Sequence, residues 1–252
     1  MDSYAKTFDE QGVVAFPGLL DAAWIDSMRE AAQEMLGHTQ DPAVHVDDTG
    51  GSRSRESNGM WRWCEPFARL LFNSPIGAAA AKVMHSQTVR LYEDLFLYTE
   101  PGAEGAGWHR DSPHWPLTGN QLCSVWFSLE PVTRETGALR FVAGSHLAGE
   151  SVTAEGLFPA VDETEQQPIV VIETEPGDCV VFHPRILHAT RGAAPHRPRR
   201  SFTIRFTGDD IRWRPRRSFY HAWMAECGLR KGDPLNHPWF PALHPGVTTS
   251  SS

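Results

Sequence analysis

Short β-type segments follow one another from about residue 88, and this feature most restricts what the chain can fold into. Each segment is of strand length, is rich in Val, Ile, Phe and Thr, and is bounded by Gly or Pro. No helical pattern separates them, which is typical of a sandwich or barrel. The segments are TVRLYEDLFLYT, QLCSVWFSLEPV, GALRFVAGS, QQPIVVIETEPGDCVVFH and RRSFTIRFTG. We therefore predict a mainly β fold with flanking α-helices and a jelly-roll core.

The residues before this region look helical. In DAAWIDSMREAAQEMLG the apolar residues fall on one stripe, Asp21 can cap the helix and Gly37 can end it. A second helix is predicted in NSPIGAAAAKVM, with Asn73 or Ser74 as its cap. Residues 37–59 are polar and rich in turn residues, which predicts a long loop that shapes the entrance to a site.

Length and composition favour a single domain. The chain has 252 residues, of which 40% are hydrophobic, and this is enough for one substantial core. We predict one domain over residues 1–252. Its helical part covers about 1–87, its jelly-roll core covers about 88–215, and a C-terminal extension with a disordered tail covers about 216–252.

The charge balance disfavours nucleic acid and membranes as partners and favours a small-molecule substrate. Acidic residues outnumber Lys and Arg by 31 to 23, which gives a net charge of −8. Nine arginines lie in residues 191–217 and could indicate a nucleic-acid demethylase. Strand-type apolar residues and prolines interrupt them, so pairing with acidic residues is the preferred interpretation. The sequence does not predict an oligomeric state.

The N-terminus and the cysteines predict a cytoplasmic protein. The first residues, MDSYAKTFDEQG, lack the basic start and apolar core of a signal peptide, and no apolar run approaches the ~18 residues of a membrane span. The four cysteines are far apart in the sequence, which argues against a disulfide framework and a zinc knuckle. They are Cys64, Cys123, Cys179 and Cys227.

A candidate metal site begins in the segment GWHRDSPHWP. On a strand, His109 and Asp111 point to the same face, so an imidazole and a carboxylate can converge. Taken alone, this pair is better interpreted as a polar pair at the surface, because such a spacing is frequent by chance. A third ligand is available downstream, where His183 and His188 are the two candidates. Two histidines and one carboxylate form the facial triad of non-haem Fe(II) oxygenases, which leaves coordination positions open.

A candidate carboxylate-binding pair follows the second histidine candidate. Arg199 stands eleven residues after His188, and Arg199 and Ser201 share one face of the predicted strand. The guanidinium can bind a carboxylate through two hydrogen bonds, and the hydroxyl can add a third. Arg200 is the alternative to Arg199, but it should face the other way.

These motifs, in this order, resemble the Fe(II)/2-oxoglutarate-dependent oxygenases, and among them the phytanoyl-CoA dioxygenase family. The resemblance also rests on LFLYTEPG, SPHWPL, SVWFSLEPV, TGALRFVAGSH, PGDCVVFHPRILHAT and GDPLNHPWFP, and it runs from about Gly12 to Pro245. It implies a double-stranded β-helix of the cupin-like kind. It also implies Fe(II) as cofactor and 2-oxoglutarate and O2 as cosubstrates.

The resemblance implies roles for particular residues. His109, Asp111 and His188 would bind the iron, which makes His183 a hydrogen-bonded neighbour of the site. Arg199 and Ser201 would hold the distal carboxylate of 2-oxoglutarate. The charges of iron and Arg199 would then balance those of Asp111 and the dianionic cosubstrate, so that the buried site is neutral.

Further residues are expected around the cosubstrate. Thr190 and Trp126 would line its pocket. Two positions depart from the common pattern of the family, because Arg110 stands where Gln is frequent and Tyr98 stands where Lys is frequent. Both departures affect hydrogen bonding near the cosubstrate.

Contacts with the substrate are harder to predict. Arg110, His114 and Trp115 could touch it beside the metal, although a tryptophan is as often part of the packing. Glu93, or its neighbour Asp94, could bind an amine or pair with Arg110 if it faces the cavity, and a rim position is the alternative. His45, Asp47 and Asp48 form a second metal-like group, for which a solvated loop is the preferred interpretation.

We expect hydroxylation of a C–H bond in a small organic metabolite, with release of succinate and CO2. Retention of Asp111 argues against halogenation, because halogenating relatives replace this carboxylate with a small residue. Desaturation and cyclisation remain alternatives. The rival from another class is a non-catalytic metal-binding jelly roll, which would not need the Arg199 clamp. A zinc- or nickel-dependent isomerase is a third possibility, and it would act without 2-oxoglutarate and O2.

Overall fold

The computed structural model describes residues 2–37, 44–47, 54–112, 115–148, 168–193, 196–215 and 227–243. The helices are α1 (Asp2–Gln11), α2 (Ala22–Gly37), α3 (Glu65–Asn73) and α4 (Ile76–Val83). The strands are β1 (Val13–Phe16), β2 (Val44–Asp47), β3 (Ser54–Asn58), β4 (Val89–Thr99), β5 (Leu117–Thr118), β6 (Leu122–Ser128), β7 (Leu139–Val142), β8 (Ile169–Ile172), β9 (Cys179–Phe182), β10 (His188–Thr190), β11 (Arg199–Thr207), β12 (Arg212–Trp213) and β13 (Ala242–Leu243).

The strands form antiparallel sheets. The largest has eight strands in the order β1-β9-β6-β11-β4-β3-β2, with β13 also paired to β4. A three-stranded sheet has the order β10-β7-β8, and a two-stranded sheet pairs β12 with β5. Neighbours such as β1 and β9 are distant in sequence, as expected of a jelly roll. The predicted mainly β fold with flanking helices is confirmed.

The helices cover one face of the eight-stranded sheet. Alternate residues of β11, namely Phe202, Ile204 and Phe206, are fully buried in the core that this face forms with the helices. Residues of the other parity, such as Thr203 and Arg205, line a cavity on the opposite face. The strand alternation therefore separates the apolar core from the polar residues of the cavity.

A second apolar cluster lies between the eight-stranded and three-stranded sheets. It includes Trp126 of β6, Leu139 and Phe141 of β7, Phe182 of β9, and Ile186 before β10. Trp126, Leu139 and Phe182 also line the cavity. The packing of the two sheets against each other thus fixes one wall of the site.

Phe202 stabilises the helix-side core and provides a test of it. Its ring centroid lies 5.8 Å from that of Phe67, 5.0 Å from that of Phe96 and 5.1 Å from that of Phe127. Phe202→Ala should reduce the free energy of unfolding by about 3–5 kcal/mol, because it leaves a cavity among these rings. Urea denaturation measures the loss. Leu147→Ala is the control, because Leu147 is 70% exposed and its truncation should change stability by less than about 0.5 kcal/mol.

Several predicted elements agree with the structure. The helix expected after Asp21 is α2, and the Trp24 amide donates to Asp21 Oδ1 at 3.0 Å, so the predicted cap is confirmed. The second predicted helix is α4. The Ser74 hydroxyl accepts a hydrogen bond from the Ile76 amide at 3.4 Å, whereas Asn73 belongs to α3.

The prediction of a continuous loop over residues 37–59 is wrong. Strands β2 and β3 lie within it, and β3 pairs with β4. The sequence of β3, Ser-Arg-Glu-Ser-Asn, lacks alternating apolar residues, so its strand conformation comes from pairing with β4 and not from intrinsic preference. The first third of the chain is accordingly not only helical, since β1 also lies there.

Some sequence predictions fall outside what the structure describes. These are the predicted disordered tail, His114, and the second metal-like group, for which Asp48 and the side chains of His45 and Asp47 are not described. Among the described residues, no helix combines the length and apolar character needed to cross a membrane.

Candidate metal centre and cosubstrate pocket

Three potential metal ligands converge where the segment after β4 meets β10. The His109 amide donates to the His188 carbonyl at 2.9 Å, and the His188 amide donates to the His109 carbonyl at 3.0 Å. This bridge places the two imidazoles beside each other, with ring centroids 4.1 Å apart. Asp111 Oδ1 lies 3.6 Å from His109 Nε2 and 3.8 Å from His188 Nε2. In the part of the chain that the structure describes, this is the one group of three ligands close enough to share an ion.

The hydrogen bonds of the two histidines suit metal binding. His109 Nδ1 lies 2.8 Å from the Gly107 carbonyl, and His188 Nδ1 lies 3.0 Å from the Ile186 carbonyl. A carbonyl can only accept, so each Nδ1 carries the proton and each Nε2 presents a lone pair towards Asp111. The donor set of two imidazoles and one carboxylate therefore fits a divalent transition metal.

The protonation states of the ligands also suit a cation. Burial lowers the pKa of His188 to about 4. Burial acts to raise the pKa of Asp111, but the neighbouring Arg205, His188 and His109 outweigh it, so this pKa is lowered. At neutral pH His188 is neutral and Asp111 is charged, and these are the metal-binding forms.

Arg199 is a buried residue that lines the cavity. It is 5% exposed, and its Nη1 donates to the Gly137 carbonyl at 2.9 Å. Its Nε has no hydrogen-bond partner among the described residues, which is costly for a buried guanidinium. A carboxylate in the cavity would supply the missing acceptor, so the residues present fit 2-oxoglutarate.

Gly137 sets the position of this arginine. Its φ is +106°, and a Cβ built on it would lie 2.1 Å from Arg199 Nη1. A side chain at this position would displace the guanidinium, so glycine is required by both the backbone and the space.

Only some of the other residues predicted to bind the cosubstrate line the cavity. Thr190 and Trp126 line the cavity, and the Thr190 hydroxyl accepts a hydrogen bond from the Ala106 amide at 2.9 Å. Ser201 shares the strand face of Arg199 and is 1% exposed, but it is not among the cavity-lining residues. Tyr98 lies on the opposite face of β4 and packs against the helix-side core, so its predicted contact with the cosubstrate is corrected.

The two alternative residues from the sequence, Arg200 and His183, lie outside the candidate site. Arg200 faces away from the cavity, and its amide and Nε each donate to Glu130 at 2.7 Å. His183 is outside the ligand group. Its Nδ1 accepts from the Arg185 amide at 3.1 Å, and its Nε2 lies 3.2 Å from the Asn120 carbonyl.

The predicted substrate residues that the structure describes line the cavity. They are Arg110, Trp115 and Glu93. Glu93 is buried and pairs with Arg205. The Nε of Arg110 donates to the Arg185 carbonyl at 2.9 Å. Asp94 faces the helices and accepts hydrogen bonds from the backbone of the turn after β3, so it has a structural role.

The cavity has a volume of about 290 Å³, and several of its residues were not predicted. The most consequential is Arg205, six residues after Arg199 on the same strand face. Strand alternation would have indicated it. Other unpredicted lining residues are Glu56, Asn58, Leu95, Leu97, Ala106, Leu139, Phe182 and Thr203.

His183 predicts a dependence of stability on pH. Burial, with repulsion from Arg185 and His146, lowers its pKa to about 3. The unfolded chain, with a histidine pKa of about 6.5, binds the proton more readily, so stability is complete above about pH 6.5 and is lost as the pH falls towards 3. Between pH 7.5 and 5 the expected loss from this residue is about 2 kcal/mol. Urea denaturation at both pH values should show a smaller loss in His183→Gln, and an equal loss in both proteins would contradict the assignment.

The antiparallel fold and the His-Asp-His group together define a jelly-roll protein with a candidate site for a divalent transition metal. The chain belongs to the phytanoyl-CoA dioxygenase family, whose model matches residues 8–201. The resemblance found in the sequence is confirmed. Dioxygenase hkm4 of Aspergillus hancockii is 22% identical over 205 residues, which are 74% of this chain and 64% of the relative. The chain therefore spans less than two thirds of that relative's length.

Two solved structures share the fold. The carbocyclase SnoK from nogalamycin biosynthesis has a TM-score of 0.82 at 22% identity, with 96% of each chain covered. The epimerase SnoN, in complex with Fe3+, alpha ketoglutarate and nogalamycin RO, has a TM-score of 0.81 at 23% identity, with 96% of this chain and 97% of SnoN covered. Both likenesses concern the fold and agree with the predicted jelly-roll core.

Proposed function

We propose that the protein is an Fe(II)- and 2-oxoglutarate-dependent dioxygenase that hydroxylates a C–H bond of a small organic metabolite. The observation that carries the proposal is the combination of the ligand group with the buried Arg199, whose Nε lacks an acceptor in the described structure. A protein that only stored or sensed a metal would not need this arginine. In the proposed reaction, substrate, 2-oxoglutarate and O2 give hydroxylated substrate, succinate and CO2.

In this proposal His109, Asp111 and His188 hold the iron, and Arg199 holds the distal carboxylate of 2-oxoglutarate. The iron, when bound, supplies the chemistry that couples reduction of O2 to oxidative decarboxylation of the cosubstrate. Ser201 is proposed to support the carboxylate from the same strand face. The charges of iron and Arg199 balance those of Asp111 and the cosubstrate, so the assembled site is neutral, which favours its burial.

The walls of the cavity would orient the reactants and limit the entry of water. Thr190 and Trp126 are proposed to flank the cosubstrate, and Leu95 and Leu97 are apolar surfaces beside it. Arg110 and Trp115 are proposed to contact the substrate. Exclusion of water protects the reacting groups from side reactions.

The substrate is proposed to be a small molecule and not a nucleic acid. The net charge of −8 supports this, as does the confined cavity of about 290 Å³. SnoN was solved with nogalamycin RO, a small molecule. We also propose a cytoplasmic location, which the four buried, unpaired cysteines support.

The test is an anaerobic titration of metal-free protein with Fe(II) and then 2-oxoglutarate. We expect a visible charge-transfer band when the cosubstrate chelates the iron. Glutarate is the control ligand, because it has both carboxylates but lacks the 2-oxo group needed for chelation. If iron binds and 2-oxoglutarate gives no band, the metal-binding jelly roll is the better interpretation.

Product analysis then separates the possible outcomes. After a substrate screen by succinate release, hydroxylation adds one oxygen atom to the product, whereas desaturation or cyclisation removes two hydrogens without adding oxygen. The structural neighbour SnoK is a carbocyclase, so cyclisation in particular belongs in the analysis.

A further inference from the structure

A buried cluster of charged side chains lies behind the metal-binding carboxylate. Arg205 of β11 contacts two acids at once, because its Nη1 donates to Glu93 and its Nη2 donates to Asp111 Oδ2 at 3.2 Å. The side chains of Arg205, Glu93 and Asp111 are 17%, 6% and 8% exposed. Ion pairs buried to this degree are little screened by solvent, so these contacts act strongly on Asp111.

The two oxygens of Asp111 have different neighbours. Oδ1 is the oxygen near the imidazoles, at 3.6 Å from His109 Nε2 and 3.8 Å from His188 Nε2. Oδ2 is the oxygen that accepts from Arg205. Oδ1 thus faces the two imidazoles, while Oδ2 is hydrogen-bonded to the Arg205 guanidinium.

Arg205 is itself held by two neighbours besides Asp111. The register of the sheet places it directly opposite Glu93 on β4. Its guanidinium carbon lies 5.3 Å from the ring centroid of Trp115, and that ring packs against Tyr92 at a centroid distance of 4.9 Å. Cation–π contact and ion pairing together restrict rotation of the guanidinium. Arg205 is therefore a fixed support for Asp111.

The charges of the cluster are matched. Arg205 and Glu93 cancel, so the pair supports Asp111 without altering the charge balance proposed for the loaded site. Removal of Arg205 alone leaves the site more negative, and removal of the charge of Glu93 alone leaves it more positive. Removal of both charges restores the balance but not the hydrogen bond to Asp111.

We propose that Arg205, held by Glu93, is a positioning residue that keeps Asp111 bound to iron through a single oxygen. This inference rests on the proposed function. Engagement of Oδ2 by Arg205 prevents the carboxylate from binding through both oxygens, and this keeps coordination positions open for 2-oxoglutarate and O2. Arginine suits this role because the two terminal nitrogens of its guanidinium can donate to Glu93 and Asp111 at once. The single amine of lysine can reproduce this only in part.

The test uses Co(II) as a spectroscopic probe, because its visible absorption reports its coordination number. We compare wild type with Arg205→Gln, Arg205→Lys, Glu93→Gln and the double Gln variant. In Arg205→Gln, cobalt should still bind, but its spectrum should change and 2-oxoglutarate affinity should fall at least about tenfold, with partial recovery in Arg205→Lys. In Glu93→Gln, cobalt affinity itself should fall about tenfold, and the double variant should recover it because the net charge is restored.

Arg200→Gln is the matched control. Arg200 lies on the same strand, also forms an ion pair with an acid, and faces away from the cavity. It should bind cobalt and 2-oxoglutarate as wild type does. If a single Gln variant fails to fold, as judged by circular dichroism, Arg205→Lys and the charge-balanced double variant decide the question.

The outcomes separate the inference from the proposed function. Wild-type cobalt spectra and 2-oxoglutarate affinity in every folded Arg205 variant would overturn the positioning role and leave the proposed function intact. Failure of wild-type protein itself to give the Fe(II) and 2-oxoglutarate band would instead overturn the proposed function.

Discussion

Replacement of His188 by alanine should abolish stoichiometric Fe(II) binding and with it turnover. The substitution removes one of three ligands, and its Nε2 lies within 4.8 Å of the other two donor atoms. Loss of a group that merely orients a ligand costs about 10- to 100-fold in metal affinity or activity, so loss of the ligand itself should cost more than about 100-fold. Anaerobic titration with Fe(II), followed by succinate release, measures both effects.

The control for this experiment is His183→Ala, at the other histidine candidate from the sequence. Its imidazole is buried and hydrogen-bonded to the backbone outside the ligand group, so the variant should keep its metal although it loses stability. Asp111→Ala should behave as His188→Ala does. Full Fe(II) binding by His188→Ala, or its loss in a folded His183→Ala, would contradict the assignment of ligands.

Replacement of Arg199 by alanine should weaken 2-oxoglutarate binding while leaving Fe(II) binding intact. Removal of one partner of a buried, hydrogen-bonded charge pair costs about 2–5 kcal/mol, which corresponds to roughly thirtyfold to several-thousandfold in affinity. The KM for 2-oxoglutarate should therefore rise by more than kcat falls. Titration of the charge-transfer band gives the affinity directly.

Two further variants sharpen this result. Arg199→Lys should recover part of the affinity, because it restores the charge but not the bidentate fork. Arg200→Ala is the control, since Arg200 pairs with Glu130 on the other face of the same strand. If 2-oxoglutarate binds Arg199→Ala as tightly as it binds the wild type, a residue other than Arg199 binds its distal carboxylate.

Local patterns in the sequence predict the long elements well. The apolar runs of β4 and β11 and the stripe of α2 are strong signals, and each appears close to its expected bounds. The polar β3 could not be predicted, because its conformation depends on pairing with a distant strand. The four-residue β1 was also not predicted, since so short a segment gives a weak periodic signal. The helices α1 and α3 were missed although both are longer than the predicted α4 and α3 is clearly amphipathic.

The candidate site was predictable where two residues of one strand face were enough to define it. This applies to the convergence of His109 with Asp111, and to the orientation of Arg199 and Arg200 towards opposite faces of β11. Strand alternation could have placed Arg205 on the cavity face, but its pairing with Glu93 could not be predicted, because it depends on the register between two strands that are far apart in the sequence. Tyr98 was misplaced because its position came from resemblance, whereas the alternation of β4 directs it to the core.

The alternation of β4 also has a consequence for how such a protein can diversify. Within its eleven residues, Glu93, Leu95 and Leu97 face the cavity while the residues between them face the helices. Mutations at Leu95 and Leu97 can alter which molecules are accepted without disturbing the packing on the helix side of the sheet. Descendants of this chain could therefore acquire new substrates by changing these two residues of a single strand, while Phe96 and Tyr98 beside them keep the core intact.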